Sequence, residues 1–295
     1  MSRVPQSLAR RVWQAAIIIK SLKFALMSTS VKGKWLRLRA DWLLRCGQYP
    51  AAVRAYESLA DVERPTAYVF AMLGYCHTSL GEYKSAIEAY DRALTLKPDY
   101  AGVHAELGSV LSQCNQFQAA RESLERAFRI GLKPTPKVPY WRQVLGFVCT
   151  RLGDWESAAQ NLKLSADAQP SADVLCNLAS ALWHINKTED SVAAYLKALQ
   201  IDPRHVVALY GLGYAYFELE RYADAIEPLK KAAEVDSKYA AAVLYLGLAY
   251  ANVGNYDEAL KYLNQAAILR PEDENTKGAI QAVKARLADE QTTSN

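Results

Sequence analysis

The residues best suited to covalent or metal chemistry are five cysteines, four histidines and scattered carboxylates. Their spacing assembles no reactive centre. Cys46, Cys76, Cys114, Cys149 and Cys176 are odd in number and far apart, with no C-x-x-C pair. That pattern excludes a zinc ribbon and a thioredoxin-type motif. The five read as small apolar side chains kept reduced in a cytoplasmic setting. His77, His104, His184 and His205 form no H-E-x-x-H and no Cys/His cluster, so neither a metal nor another cofactor has a ligand set. The phosphate-cradling G-x-x-x-x-G-K-[ST], the nucleophile elbow G-x-S-x-G and the dinucleotide fingerprint are missing. Gly211-Leu212-Gly213 is an isolated fragment in a helical pattern, where glycines serve packing. Glu272, Asp273 and Glu274 read as charges at a helix start. The expectation is a non-enzyme.

Aromatic residues at helical spacing offer a different chemistry, that of recognition. Tyr210, Tyr214 and Phe217 fall at i, i+4 and i+7, one face of a helix. The same register holds Tyr68 and Tyr75, Tyr140 and Phe147, and Trp183 with His184. Rings lining a trough anchor an extended peptide or an amphipathic helix, and aromatic anchors carry most interface energy. The alternative is that the rings pack against the next helix and meet no partner. Arg37, Arg45, Arg151 and Glu218 supply sparse charge.

The elements that position these rings recur about every 34 residues. The clearest copy is Val243-x-x-Leu246-Gly247-x-x-Tyr250, then Gly254-x-Tyr256, Ala259, Leu263, Ala266 and Pro271. Leu73-Gly74, Leu107-Gly108, Leu145-Gly146 and Leu212-Gly213 fill the same slot, which becomes Leu178-Ala179 and Arg39-Ala40 in two copies. The small residue of the second helix is Ala52, Ala86, Ala120, Ala158, Ser191, Ala225 or Ala259. Small residues facing each other let two helix axes approach closely and interlock their side chains. Gly47, Gly81, Gly153 and Gly254, with Asn115 and Asn186, suit the left-handed residue that ends a helix. Glu220 in that slot predicts a less tightly closed turn. Pro228 falls inside a predicted helix, where it removes one hydrogen bond and bends the axis.

This pattern resembles the tetratricopeptide repeat, whose skeleton is W-x-x-L-G-x-x-Y, A-x-x-x-F and a closing proline. The resemblance covers residues 33–271 and implies an all-α, right-handed superhelical solenoid of about seven helix-turn-helix repeats with a C-terminal capping helix. It also implies a protein or peptide partner in a concave groove lined by the first helices, with self-association of ends or convex faces left open. Some relatives hold chaperone termini in a clamp of Lys and Asn. Here Arg37 and Asp41 stand in the first copy and no Asn follows in the second. The asparagine ladder of sugar-transferase relatives is missing too, Asn177 being isolated. The reading is a scaffold or adaptor. The alternative is a membrane-associated assembly factor or an accessory subunit of an enzyme or secretion complex.

Domain boundaries follow from the repeat. Three copies occupy 33–134, a Pro-rich linker 135–138, four copies 139–271, a capping helix 272–290 and a disordered tail 291–295. Residues 1–32 differ in kind. Nine basic residues and no acid precede Asp41, which leaves the remainder net acidic. Residues 7–27 carry one apolar stripe through Leu8, Val12, Ala15, Ile19, Leu22 and Leu26 and a second through Trp13, Ile17 and Phe24. Lys20 and Lys23 interrupt the run, against a spanning helix. The charges lie inside the apolar stretch, against a secretory signal. Two readings remain foremost: a helix covering the first repeat, or peripheral attachment to an anionic membrane through Arg10, Arg11, Trp13, Lys20, Lys23 and Phe24. A transit peptide stays open. No nucleic-acid-reading module accompanies the basic arm, which disfavours nucleic acid as partner.

Overall fold

The computed structural model describes residues 28–293, and every regular element among them is an α-helix. The chain divides into two compact units that part between Lys133 and Pro134. The first holds three helical hairpins: α1 (Thr29–Arg45) with α2 (Tyr49–Val62), α3 (Ala67–Ser79) with α4 (Tyr83–Leu96), and α5 (Ala101–Gln113) with α6 (Phe117–Ile130). The second holds four: α7 (Val138–Arg151) with α8 (Trp155–Ala168), α9 (Ala172–His184) with α10 (Thr188–Ile201), α11 (Val206–Glu218) with α12 (Tyr222–Val235), and α13 (Ala240–Asn252) with α14 (Tyr256–Leu269). A final helix, α15 (Glu274–Thr293), packs on α14. The described residues form an all-α repeat solenoid of seven hairpins and a terminal helix.

The hairpins close as the small-residue slots require. Ala52, Ala86, Ala120, Ala158, Ser191, Ala225 and Ala259 are all 0% exposed. At Gly213 an added Cβ would sit 2.5 Å from Leu229 Cγ and 3.3 Å from the Ala225 carbonyl oxygen. The two helix backbones are therefore in near contact, and any side chain there overpacks the crossing. Gly211 meets the ring of Tyr195 in the same manner. Both glycines of Gly211-Leu212-Gly213 are thus packing residues.

Three elements depart from expectation. Glu220 was expected to loosen its turn, yet it adopts φ 58, the left-handed region. Its N–H donates to the Phe217 carbonyl at 2.9 Å and that of Arg221 to the Tyr216 carbonyl at 2.9 Å. Gly254 and Asn255 make the equivalent pair with Ala251 and Tyr250. The turn closes fully, and a side chain bears the steric cost, about 1–2 kcal/mol. Glu220→Gly should therefore stabilise the fold by about 1 kcal/mol, read as a higher urea midpoint at unchanged slope. Secondly, α1 starts at Thr29, one turn before the repeat boundary. Thirdly, α15 is helical to Thr293, past Gln291, with no glycine or proline to stop it. Thr276, Ile280, Val283 and Leu287 form its buried or half-buried stripe. Helix α12 continues through Pro228. Pro139 sits in the first turn of α7, a place that tolerates proline.

Candidate functional site

In the second unit the first helices meet ring to ring. Trp183 of α9 lies edge-on to Tyr214 of α11, with centroids 5.5 Å apart. Tyr214 stacks with Tyr210 one turn earlier at 5.9 Å and meets Tyr245 of α13 edge-on at 4.9 Å. Phe217 joins Tyr245 at 5.2 Å and Tyr222 of α12 at 5.1 Å. Tyr239, just before α13, packs edge-on to Tyr210 at 5.1 Å. Offset and edge-to-face contacts suit the ring quadrupoles and hold the rings in place. All seven rings are half-buried: each is fixed by neighbours and still reaches solvent.

The floor beneath them is aliphatic and closed. Leu229, Leu246, Ala225 and Ala249 are each 0% exposed, and Tyr210, Phe217 and Tyr245 pack against them. Burial raises the hydroxyl pKa of Tyr210, Tyr239 and Tyr245 above the ordinary 10.0. Tyr214 is pushed up to about 12 by burial and then by the charge of Glu218, with which its hydroxyl hydrogen-bonds. The surface therefore presents neutral hydroxyls on apolar rings beside one carboxylate. Raised tyrosine values stabilise the fold fully below pH 10, and that contribution is lost as pH climbs toward the folded-state values. Thermal stability should stay level between about pH 7 and 9 and fall steeply above about pH 10, which a melting series in buffers of rising pH will read.

The other expected site residues lie elsewhere. Tyr140 and Phe147 are on α7, 44% and 43% exposed. His184 does not join Trp183. Consecutive helix residues point about 100° apart, and the His184 ring stacks on Trp155 at 3.7 Å. In the first unit, Tyr68 donates to Asp41 Oδ1 at 2.9 Å, and the buried Tyr56 donates to the same oxygen at 2.6 Å. The Arg37 guanidinium covers the Tyr68 ring at 4.6 Å. Tyr75 meets Tyr49 edge-on at 6.5 Å. Arg10, Arg11, Trp13, Lys20, Lys23 and Phe24 lie outside the described residues. Tyr222, Tyr239 and Tyr245 join the rings from outside α11, so no stripe within that one helix shows them in the sequence.

One trio has the composition of a nucleophilic triad. Cys176 Sγ lies 3.5 Å from His205 Nδ1, and His205 Nε2 lies 3.1 Å from Asp173 Oδ1. Its electrostatics oppose that chemistry. His205 Nδ1 accepts the Ala208 N–H at 3.2 Å and so caps α11. Cys176 is 4% exposed, and burial first, then the charges of Asp173 and Asp202, push its thiol up to about 12. A thiolate nucleophile needs the opposite shift. Among the described residues no group of three His, Cys, Asp or Glu side chains is placed to hold a metal ion. No described helix is long and apolar enough to cross a membrane.

Comparison with known proteins matches this architecture. The family model described as "TPR repeat" matches residues 74–115. Models described as "Tetratricopeptide repeat" match residues 101–130 and, in three overlapping segments, 150–206, 176–237 and 210–274. No curated protein matches the chain. Among solved structures, the C-terminal part of a TPR repeat-containing protein from Cytophaga hutchinsonii is 15% identical, with TM-score 0.63 over 83% of this chain and 99% of that one. PilF of Pseudomonas aeruginosa is 17% identical, with TM-score 0.56 over 75% and 97% of the two chains. A tetratricopeptide repeat protein from Parabacteroides merdae is 14% identical, with TM-score 0.54 over 85% and 98%. At these identities the likeness is one of fold.

Proposed function

The chain belongs to the tetratricopeptide repeat family, and on that premise we propose that it is a non-catalytic scaffold that seats a peptide of a protein partner against the aromatic face of its second unit. The observation that carries this reading is the set of half-buried rings running from Trp183 through Tyr214 and Tyr210 to Tyr245. A core would seal such rings. A mere surface would leave them apart. Rings held in place lose little conformational freedom on binding, which favours affinity. Their chemistry selects an extended or helical segment with apolar side chains at alternate or i, i+4 positions and a donor for Glu218.

Affinity purification of the wild type beside Tyr210→Ala/Tyr214→Ala, with mass spectrometry of the captured proteins, tests the reading. A protein held by the wild type and lost from the variant, at matched melting temperatures, supports it. Equal capture by both overturns it.

A further inference from the structure

The aromatic face of the second unit carries negative charge and no positive charge. Helices α9, α11 and α13, which bear Trp183, Tyr210, Tyr214, Phe217 and Tyr245, hold the carboxylates Asp173 and Glu218 and no lysine or arginine. Asp173, in the first turn of α9, is engaged by His205 at 3.1 Å. Glu218 is the last residue of α11, one turn after Tyr214, and is exposed. The negative end of the helix dipole falls at the same place. After burial, the charge of Glu218 is the next cause of the raised Tyr214 and Tyr245 values, which puts the carboxylate near both hydroxyls. Among the described residues Glu218 pairs with no cation.

Rings elsewhere in the chain carry a cation of their own. Arg221 lies over Tyr216 at 4.5 Å and Arg37 over Tyr68 at 4.6 Å. Lys97 lies over Tyr100 at 4.7 Å and Lys261 over Tyr262 at 5.1 Å. Among the described residues no cation lies over the rings of Trp183, Tyr210, Tyr214, Phe217 or Tyr245. We propose that the segment seated on this face carries a lysine or arginine whose cation rests against the Tyr214 and Tyr245 rings and pairs with Glu218. This rests on the reading of the face as a peptide site. Ring faces and a neighbouring carboxylate both attract positive charge. A long basic side chain answers both, since its aliphatic stem covers ring surface while its head reaches the carboxylate in water. The apolar residues beside it in the partner take the remaining rings. An acidic segment is repelled by Glu218 and excluded.

Selection of random phage-displayed peptides on the full chain tests this, followed by titration of one selected synthetic peptide. Its counterpart carries norleucine in place of the basic residue. The expected result is selection of lysine or arginine flanked by apolar residues, with the norleucine peptide bound about tenfold more weakly. Glu218→Gln should weaken the basic peptide about threefold to fivefold and leave the norleucine peptide unchanged. High salt should narrow the gap between the two peptides. Equal binding of both peptides by the wild type overturns the proposal. So does a gap that Glu218→Gln leaves intact, because the charge is then read elsewhere. Peptides without basic residues that Tyr210→Ala/Tyr214→Ala loses also overturn it, while leaving the face as a peptide site. Selection of no peptide that the tyrosine variant loses overturns the peptide-site reading itself.

Discussion

Leu229→Ala is expected to remove about 2–5 kcal/mol of stability, the range for truncating a fully buried leucine. Leu229 is 0% exposed and packs with Ala225, Leu246 and Ala249 directly beneath the aromatic face. The void left by its methyl groups has no means of closing. Gly213 and Ala225 already bring the α11 and α12 backbones to their nearest approach. Helix α12 packs on α11 and on α13, so the loss falls on the repeats around it first. Urea denaturation followed by circular dichroism should show an earlier transition in the variant. A change below about 0.5 kcal/mol, the range of surface substitutions, would mean that the hairpin crossing is looser than described.

Tyr210→Ala/Tyr214→Ala should act chiefly on a different property, with a large loss of binding beside the smaller loss of stability that goes with the ring contacts removed. Central aromatic anchors cost about 2 kcal/mol or more each when truncated. Such losses do not simply add, so the pair should weaken partner binding by about a hundredfold or more. Tyr245→Ala should reproduce much of the effect from the neighbouring hairpin, since its ring braces Tyr214 and Phe217. Phenylalanine at 210 and 214 separates ring from hydroxyl. Binding retained by that variant assigns the energy to stacking and burial. Binding lost assigns it to the hydroxyl beside Glu218.

The repeat architecture was legible because one physical need recurs seven times. A small residue must face a small residue wherever two short helices cross, and Gly213 with Ala225 or Gly247 with Ala259 states that need directly in the sequence. The turn at Glu220 was not legible in the same way. Residue type alone suggested a loose closure, but the fixed geometry of the flanking helices imposes the left-handed conformation on whatever residue stands there. The aromatic face was half legible. Tyr210, Tyr214 and Phe217 share a helix and show as a stripe. Tyr239 and Tyr245 reach them only through hairpin stacking. Trp183 and His184, adjacent in sequence, diverge because a helix turns between them, and His184 settles on Trp155.

Hydrogen–deuterium exchange of the protein, alone and bound to the partner it captures, tests the central claim most directly. Partner-dependent protection over residues 206–218 and 239–252, with the outward second helices of those hairpins unchanged, is the result predicted. Protection confined to residues 188–201, 222–235 and 256–269, with the aromatic helices unaltered, would contradict it.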